Sequence, residues 1–148
     1  MRLSGRIDYA VRAAVELAAR GGVVRLDDIA EAQNLPTDYV RVAMGDLRRA
    51  GIVASKRGHD GGYSLNKPAD LVSLADIIRA VDGPLTEVRG ERPDAVHYTG
   101  ASEPLSDVWL ALRANERLIL EGVSLAHIVN AELPTEVAAL AAAARDRP

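Results

Sequence analysis

The chain predicts a mainly α-helical fold with a small β-hairpin wing: a winged helix-turn-helix followed by a long dimerisation helix. Three features predict it. Between Arg25 and Pro68 two helix-length segments are separated only by Leu35-Pro36, and the second is rich in arginine. Two short strand candidates around a glycine-rich tip follow directly. Behind them, after a stretch without periodicity, helical spacing resumes from Ser106 to Gly122.

Each element has its own local warrant. In Leu3 to Arg20 the residues Leu3, Ile7, Val11, Ala14, Val15 and Ala18 recur at three- and four-residue steps, with Ser4 as N-cap and Gly21-Gly22 as the stop. Val23-Val24-Arg25 is read as a minimal strand or a linker. Asp27 is the expected N-cap of the next helix, which turns Ile29 and Ala30 inward and ends near Asn34, a residue tolerant of left-handed backbone. Pro36 or Thr37 starts the following helix. Its apolar face is Val40, Ala43, Met44 and Leu47, while Thr37, Asp38, Arg41, Asp46, Arg48 and Arg49 point elsewhere. Gly45, inside that helix, costs about 1 kcal/mol relative to alanine, and close approach of another helix or of a phosphate backbone would explain it. Gly51 stops the helix. Ile52–Lys56 and Tyr63–Leu65 are the strands, joined by Arg57-Gly58-His59-Asp60-Gly61-Gly62. Ser73 caps a helix over Leu74–Val81, ended by Asp82-Gly83-Pro84. Leu85 to Pro104 has no periodicity and reads as a long loop, a kind of segment that is usually functional or disordered. Ser124–Val129 is a short helix, and Pro134–Arg145 an alanine-rich one. The organisation expected is a DNA-binding domain over residues 1–84, a sensor-type loop over 85–104, and a dimerisation helix with C-terminal helices over 105–148.

Composition narrows the functional classes. The 148 residues are 48% hydrophobic with no Phe and one Trp, so the core is aliphatic. No stretch is long and apolar enough to cross a bilayer, and the first residues are too charged for a signal peptide, so a cytoplasmic protein is expected. With no cysteine, disulfides, thiolate metal sites and cysteine redox chemistry are removed together. The net charge of −3 is uneven. Met1 to Pro68 has 11 Lys+Arg against 8 Asp+Glu, and Ala69 to Pro148 has 7 against 13. A basic front and an acidic rear suit a protein of which one face meets phosphates.

In a helix-turn-helix the second helix presents residues of its N-terminal half to base edges. Thr37, Asp38, Tyr39 and Arg41 hold those positions. Arg41 can give two hydrogen bonds to guanine, and Arg48 and Arg49 are placed for phosphates. Arg57, at the glycine-rich tip, has the charge and reach for a narrow minor groove, and His59 beside it faces phosphate. Two other readings compete: a winged-helix protein-interaction module without specific DNA binding, and an enzyme. The enzyme fares worst, for there is no Ser-His-Asp ordering, no GxxxxGK[ST] and no HExxH.

The segment LRRAGIVASKRGHDGGYSL, with the opening LSGRIDYAVRAAVELA and the later LADIIRAVDGPL, resembles the Rrf-two (Rrf2) family of bacterial transcription regulators from about Leu3 to Val129. Its most specific part is the wing motif RGxxGGY, here Arg57 to Tyr63. The resemblance implies a winged-helix domain, a long dimerisation helix, and a homodimer on pseudo-palindromic double-stranded DNA; a repressor is the expected mode of regulation. It aligns Thr37, Tyr39 and Arg41 with recognition-helix contacts and Arg57 with the wing's minor-groove residue. Many members carry an acidic residue at the position of Arg41, so base preference does not transfer. Members that sense through an iron-sulphur cluster place three cysteines in the segment corresponding to Leu85–Pro104. This chain has none, so no cysteine-ligated cluster is expected and no metal site is assigned.

What remains for a sensor is a weak nitrogen and oxygen set, His97 with Glu91, Asp94 and Glu103, and a small-molecule pocket near Tyr98 and Trp109. Three histidines scattered through a chain are more commonly structural. On the long helix Val108, Trp109, Leu112 and Ile119 form a stripe larger than a monomer's surface helix should expose, and a symmetric helix pair is its expected use.

Overall fold

Serine before a helical run supplies an acceptor for an otherwise orphaned N–H, and α1 (Gly5–Arg20) begins this way, with Ser4 Oγ accepting from Ile7 N–H at 3.3 Å. The computed structural model describes residues 2–145. α1 is the central element: α2 (Leu26–Gln33), α3 (Thr37–Arg49), α4 (Leu74–Asp82) and α6 (Leu125–Val129) all pack on it. Its buried face differs from the expected stripe. Ile7, Ala10, Ala13, Ala14 and Leu17 are buried, Val11, Val15 and Ala18 are only partly covered, and Leu3 is 61% exposed. The reason is steric. Four helices can converge on one only where its side chains are small, so the alanines face the core and the valines flank it.

The N-cap of α2 is Arg25, without a side-chain cap, and Asp27 lies in the first turn instead. Val24 exchanges two 2.8 Å backbone hydrogen bonds with Tyr63, which holds the chain extended up to Arg25 and starts the helix there. Asp27 and Asp28 still favour the helix by meeting its positive end. Asn34 adopts the left-handed conformation as expected (φ 51°). Between α1 and α2, Glu16 accepts from Arg20 at 2.7 Å and from Gln33 at 2.8 Å. Those bonds, Arg20 first, hold its carboxyl below the usual range against the opposing effect of burial. A depressed folded-state pKa contributes stability above the unfolded value of about 4.3, lost as pH falls through the folded value. The melting-temperature gap between the parent and Glu16→Gln should therefore be present at neutral pH and close below about pH 4. A gap constant down to acid pH would contradict this.

In α3 the expected apolar face is the buried one: Val40, Ala43, Met44 and Leu47 are at most 1% exposed. Asp46 does not point outward. It is 4% exposed, takes both Nε and Nη2 of Arg6 at 3.1 and 2.6 Å, and is also bonded by Arg49. A buried carboxylate persists only with such partners. The wing is β1 (Val53–Lys56) paired antiparallel with β2 (Gly62–Leu65) in the register Val53 to Leu65 and Lys56 to Gly62. Val24 adds a single bridge on the other side of Tyr63.

Ser73 and Asp76 form a reciprocal capping box at α4, and Ser124 and His127 repeat the device at α6. The two caps lie side by side, because Leu74 N–H bonds Val123 O and Leu125 N–H bonds Val72 O, each at 2.9 Å. Leu125 thereby enters the core of the N-terminal body. The stretch from Leu85 to Pro104 is not featureless. Val88 and Glu91 pair across Arg89-Gly90, both at positive φ, and Pro93 and Val96 are buried. The turn at Pro93–Ala95 packs on α5 (Leu105–Gly122). α7 (Thr135–Arg145) has no buried residue. Among the described residues no helix is long and apolar enough to cross a membrane.

Candidate nucleic-acid interface

An open groove runs between α3 and the wing. It is lined by Arg41 and Arg48 from α3 and by Lys56, Arg57 and His59 from the hairpin, with Arg25 at the start of α2. Five of these six are permanently cationic, and Asp27 is the acidic residue on the lining. Arg48 is steadied by Ser55 Oγ at 3.3 Å. Arg41, Arg57 and His59 are exposed. Closely spaced like charges on an exposed wall repel one another unless a polyanion is present, so the arrangement suits phosphates.

The other sequence-derived residues lie elsewhere. Thr37, Asp38 and Tyr39 form the first turn of α3 and do not line the groove; Tyr39 is 59% exposed and its ring meets that of Tyr9 at 5.5 Å. The N-cap of α3 is Pro36, with no side-chain cap, and Tyr39 N–H and Val40 N–H both donate to its carbonyl, at 3.1 and 3.2 Å. Arg49 is drawn away to Asp46 and is absent from the groove. Arg25 and Lys56 went unnoticed in the sequence, though both are basic residues flanking turn segments. Gly45 has no close neighbour to explain it: a Cβ there would meet only Arg49 Nη1, at an ordinary 3.5 Å. Gly45→Ala should therefore stabilise the fold by about 0.5–1 kcal/mol, read as a higher urea midpoint at unchanged slope.

On α5 the residues Leu105, Val108, Leu112, Asn115 and Ile119 follow alternating steps of three and four, the spacing of a coiled-coil seam. Val108 is 52% and Leu112 42% exposed, and Ile119 is half-buried. Trp109 is half-buried, its Nε1 donating to Tyr98 Oη at 3.1 Å. The nitrogen and oxygen set around His97 does not assemble, since no group of three potential ligands occurs among the described residues. Asp94 is instead bonded by Arg92 and Arg113.

A winged helix-turn-helix with a cationic groove between recognition helix and wing defines the class of DNA-binding regulators. The Rrf2 family model, described as an iron-dependent transcriptional regulator, matches residues 3–131, and the chain belongs to that family. It is a transcriptional regulator and not an enzyme. A Mycobacterium tuberculosis protein, provisionally named an HTH-type transcriptional regulator, is 44% identical over 95% of this chain and 89% of its own. The regulator IscR of Yersinia pestis is 33% identical over 93% of this chain and 85% of its own. The structure of CymR, the global cysteine regulator of B. subtilis, superposes with a TM-score of 0.74 at 28% identity, covering 88% of this chain and 97% of that one. The family description names iron, yet with no cysteine in the chain the donors of a cysteine-held cluster are missing.

Proposed function

We propose that the protein is a cytoplasmic repressor that binds a pseudo-palindromic operator as a homodimer. In this reading α3 enters the major groove and the wing enters the minor groove. The observation that carries it is the single groove gathering Arg41, Arg48, Lys56, Arg57 and His59. Thr37, Asp38 and Tyr39 supply the first-turn contacts, and Arg49 is left with Asp46. The seam on α5 pairs two copies, setting the recognition helices about 34 Å apart or a small multiple of that. The division into residues 1–84 for DNA, 85–104 for sensing and 105–148 for pairing follows, and the signal reaches it by a route other than a cysteine-held cluster.

Selection of bound fragments from genomic DNA, followed by titration at several salt concentrations, tests this. A recurrent palindromic site whose affinity falls steeply with salt supports it. Weak binding without sequence preference, or a monomer in sedimentation at micromolar concentration, would sink it and favour the protein-interaction module.

A further inference from the structure

From Ala69 to Pro148 the chain carries seven arginines and no lysine against thirteen acidic residues. In this acidic half four of the seven arginines line one cavity of about 290 Å³: Arg79 from α4, Arg92 from the connecting loop, and Arg113 and Arg117 from α5. No acidic residue lines it; its remaining wall is Pro84, Leu85 and Thr86.

Each of the four arginines has a carboxylate partner, but the pairing leaves guanidinium edges unused. Asp94 is shared between Arg92 (3.1 and 2.9 Å) and Arg113 (2.9 Å). Glu121 is shared between Arg79 and Arg117, and both hold its carboxyl below the usual range, Arg79 first. A further carboxylate, Asp76, stands 4.0 Å from Arg79 at the edge of the cluster. Three carboxylates thus pair with the four guanidiniums, and a fourth, Glu116, lies behind Thr86. The bonds leave donors over: Arg113 uses only Nη1 and Arg117 only Nε. Arg113 is the least exposed of the four, at 23%. Thr86 gives its hydroxyl proton to Glu116, so it offers no donor to the cavity.

We propose that this cavity binds a small organic polyanion, a phosphorylated or polycarboxylate metabolite. Its anionic oxygens take the free guanidinium edges of Arg113 and Arg117, and its carbon skeleton lies on Pro84 and Leu85. Guanidinium forks match phosphate and carboxylate oxygens equally well, which is why both chemistries are named. The volume is at the small end of ligand sites and suits a small molecule. The cavity shares no residue with the groove between α3 and the wing. An occupant would bridge α4 of the DNA-reading body, the connecting loop and α5, the long helix.

The test is calorimetric titration of the full chain, without DNA, with inorganic pyrophosphate and with citrate at fixed ionic strength set by potassium chloride. One saturable site per chain is expected for at least one of them, and the tighter probe assigns the chemistry. R113Q/R117Q should weaken it about tenfold or more, and R117Q alone, at a more exposed position, should weaken it without altering melting. R57A should leave it unchanged. Absence of a saturable site, or binding that survives R113Q/R117Q and disappears with R57A, would overturn the proposal; the latter would place the anion in the DNA groove. None of these readouts depends on the protein being a repressor.

Discussion

Gly62→Ala is expected to lower stability by about 2–3 kcal/mol and to abolish tight DNA binding with it. A Cβ built at Gly62 lies 2.3 Å from the carbonyl oxygen of Val24, 2.6 Å from its carbon and 3.0 Å from Arg25 N. These atoms are backbone, so no rotamer change relieves the contact. Nor is that backbone free to retreat, because Val24 and Tyr63 are tied by reciprocal 2.8 Å bonds. Separating them costs two hydrogen bonds and frees the extended segment whose end at Arg25 starts α2. The wing's glycine thus serves the fold. Gly58, by contrast, has nothing within 4 Å of a built Cβ, and its φ of 103° alone resists substitution. Urea denaturation of Gly62→Ala beside the parent checks the expectation, and an unchanged midpoint would refute it.

The same contact shows where sequence reasoning stops. The apolar face of α3 was legible because Val40, Ala43, Met44 and Leu47 carry the helical period in strongly apolar side chains. The core face of α1 was misread because Ala10 and Ala13 carry little hydrophobic signal, and their burial follows from how many helices crowd against them. Asp46 looked like a surface residue because its partner Arg6 lies 40 positions away, and no local pattern encodes such a pairing. The DNA-facing groove was half legible. Arg41, Arg48, Arg57 and His59 stood in recognisable helix and hairpin positions, while Arg25 joined them only through the bridge that fixes Val24. Leu85 to Pro104 defeated periodicity because it is built from single turns, Arg89-Gly90 among them, each shorter than any repeat. The four-arginine cavity was invisible for a related reason: its residues come from α4, the loop and α5, and only packing brings them together.

Arg57→Ala should reduce operator affinity about tenfold to a hundredfold and lower the slope of log affinity against log salt by about 1, with melting unchanged. Arg57 is exposed at the hairpin tip and lines the groove opposite Arg41 and Arg48. No ion pair or side-chain hydrogen bond holds it among the described residues, so truncation removes charge without removing a fold contact. A solvated arginine of this kind contributes little to stability, whereas a guanidinium in a narrow minor groove releases counterions and meets an enhanced negative potential. Fluorescence anisotropy across a salt series, with thermal melting in parallel, separates the possibilities. Parent-like affinity and slope would remove the wing from DNA recognition and leave α3 to act alone. A lowered melting temperature would make the tip arginine structural. Set beside Gly62→Ala, which should lose stability and binding together, a loss of binding alone at Arg57 distinguishes a contact with DNA from the scaffold that presents it.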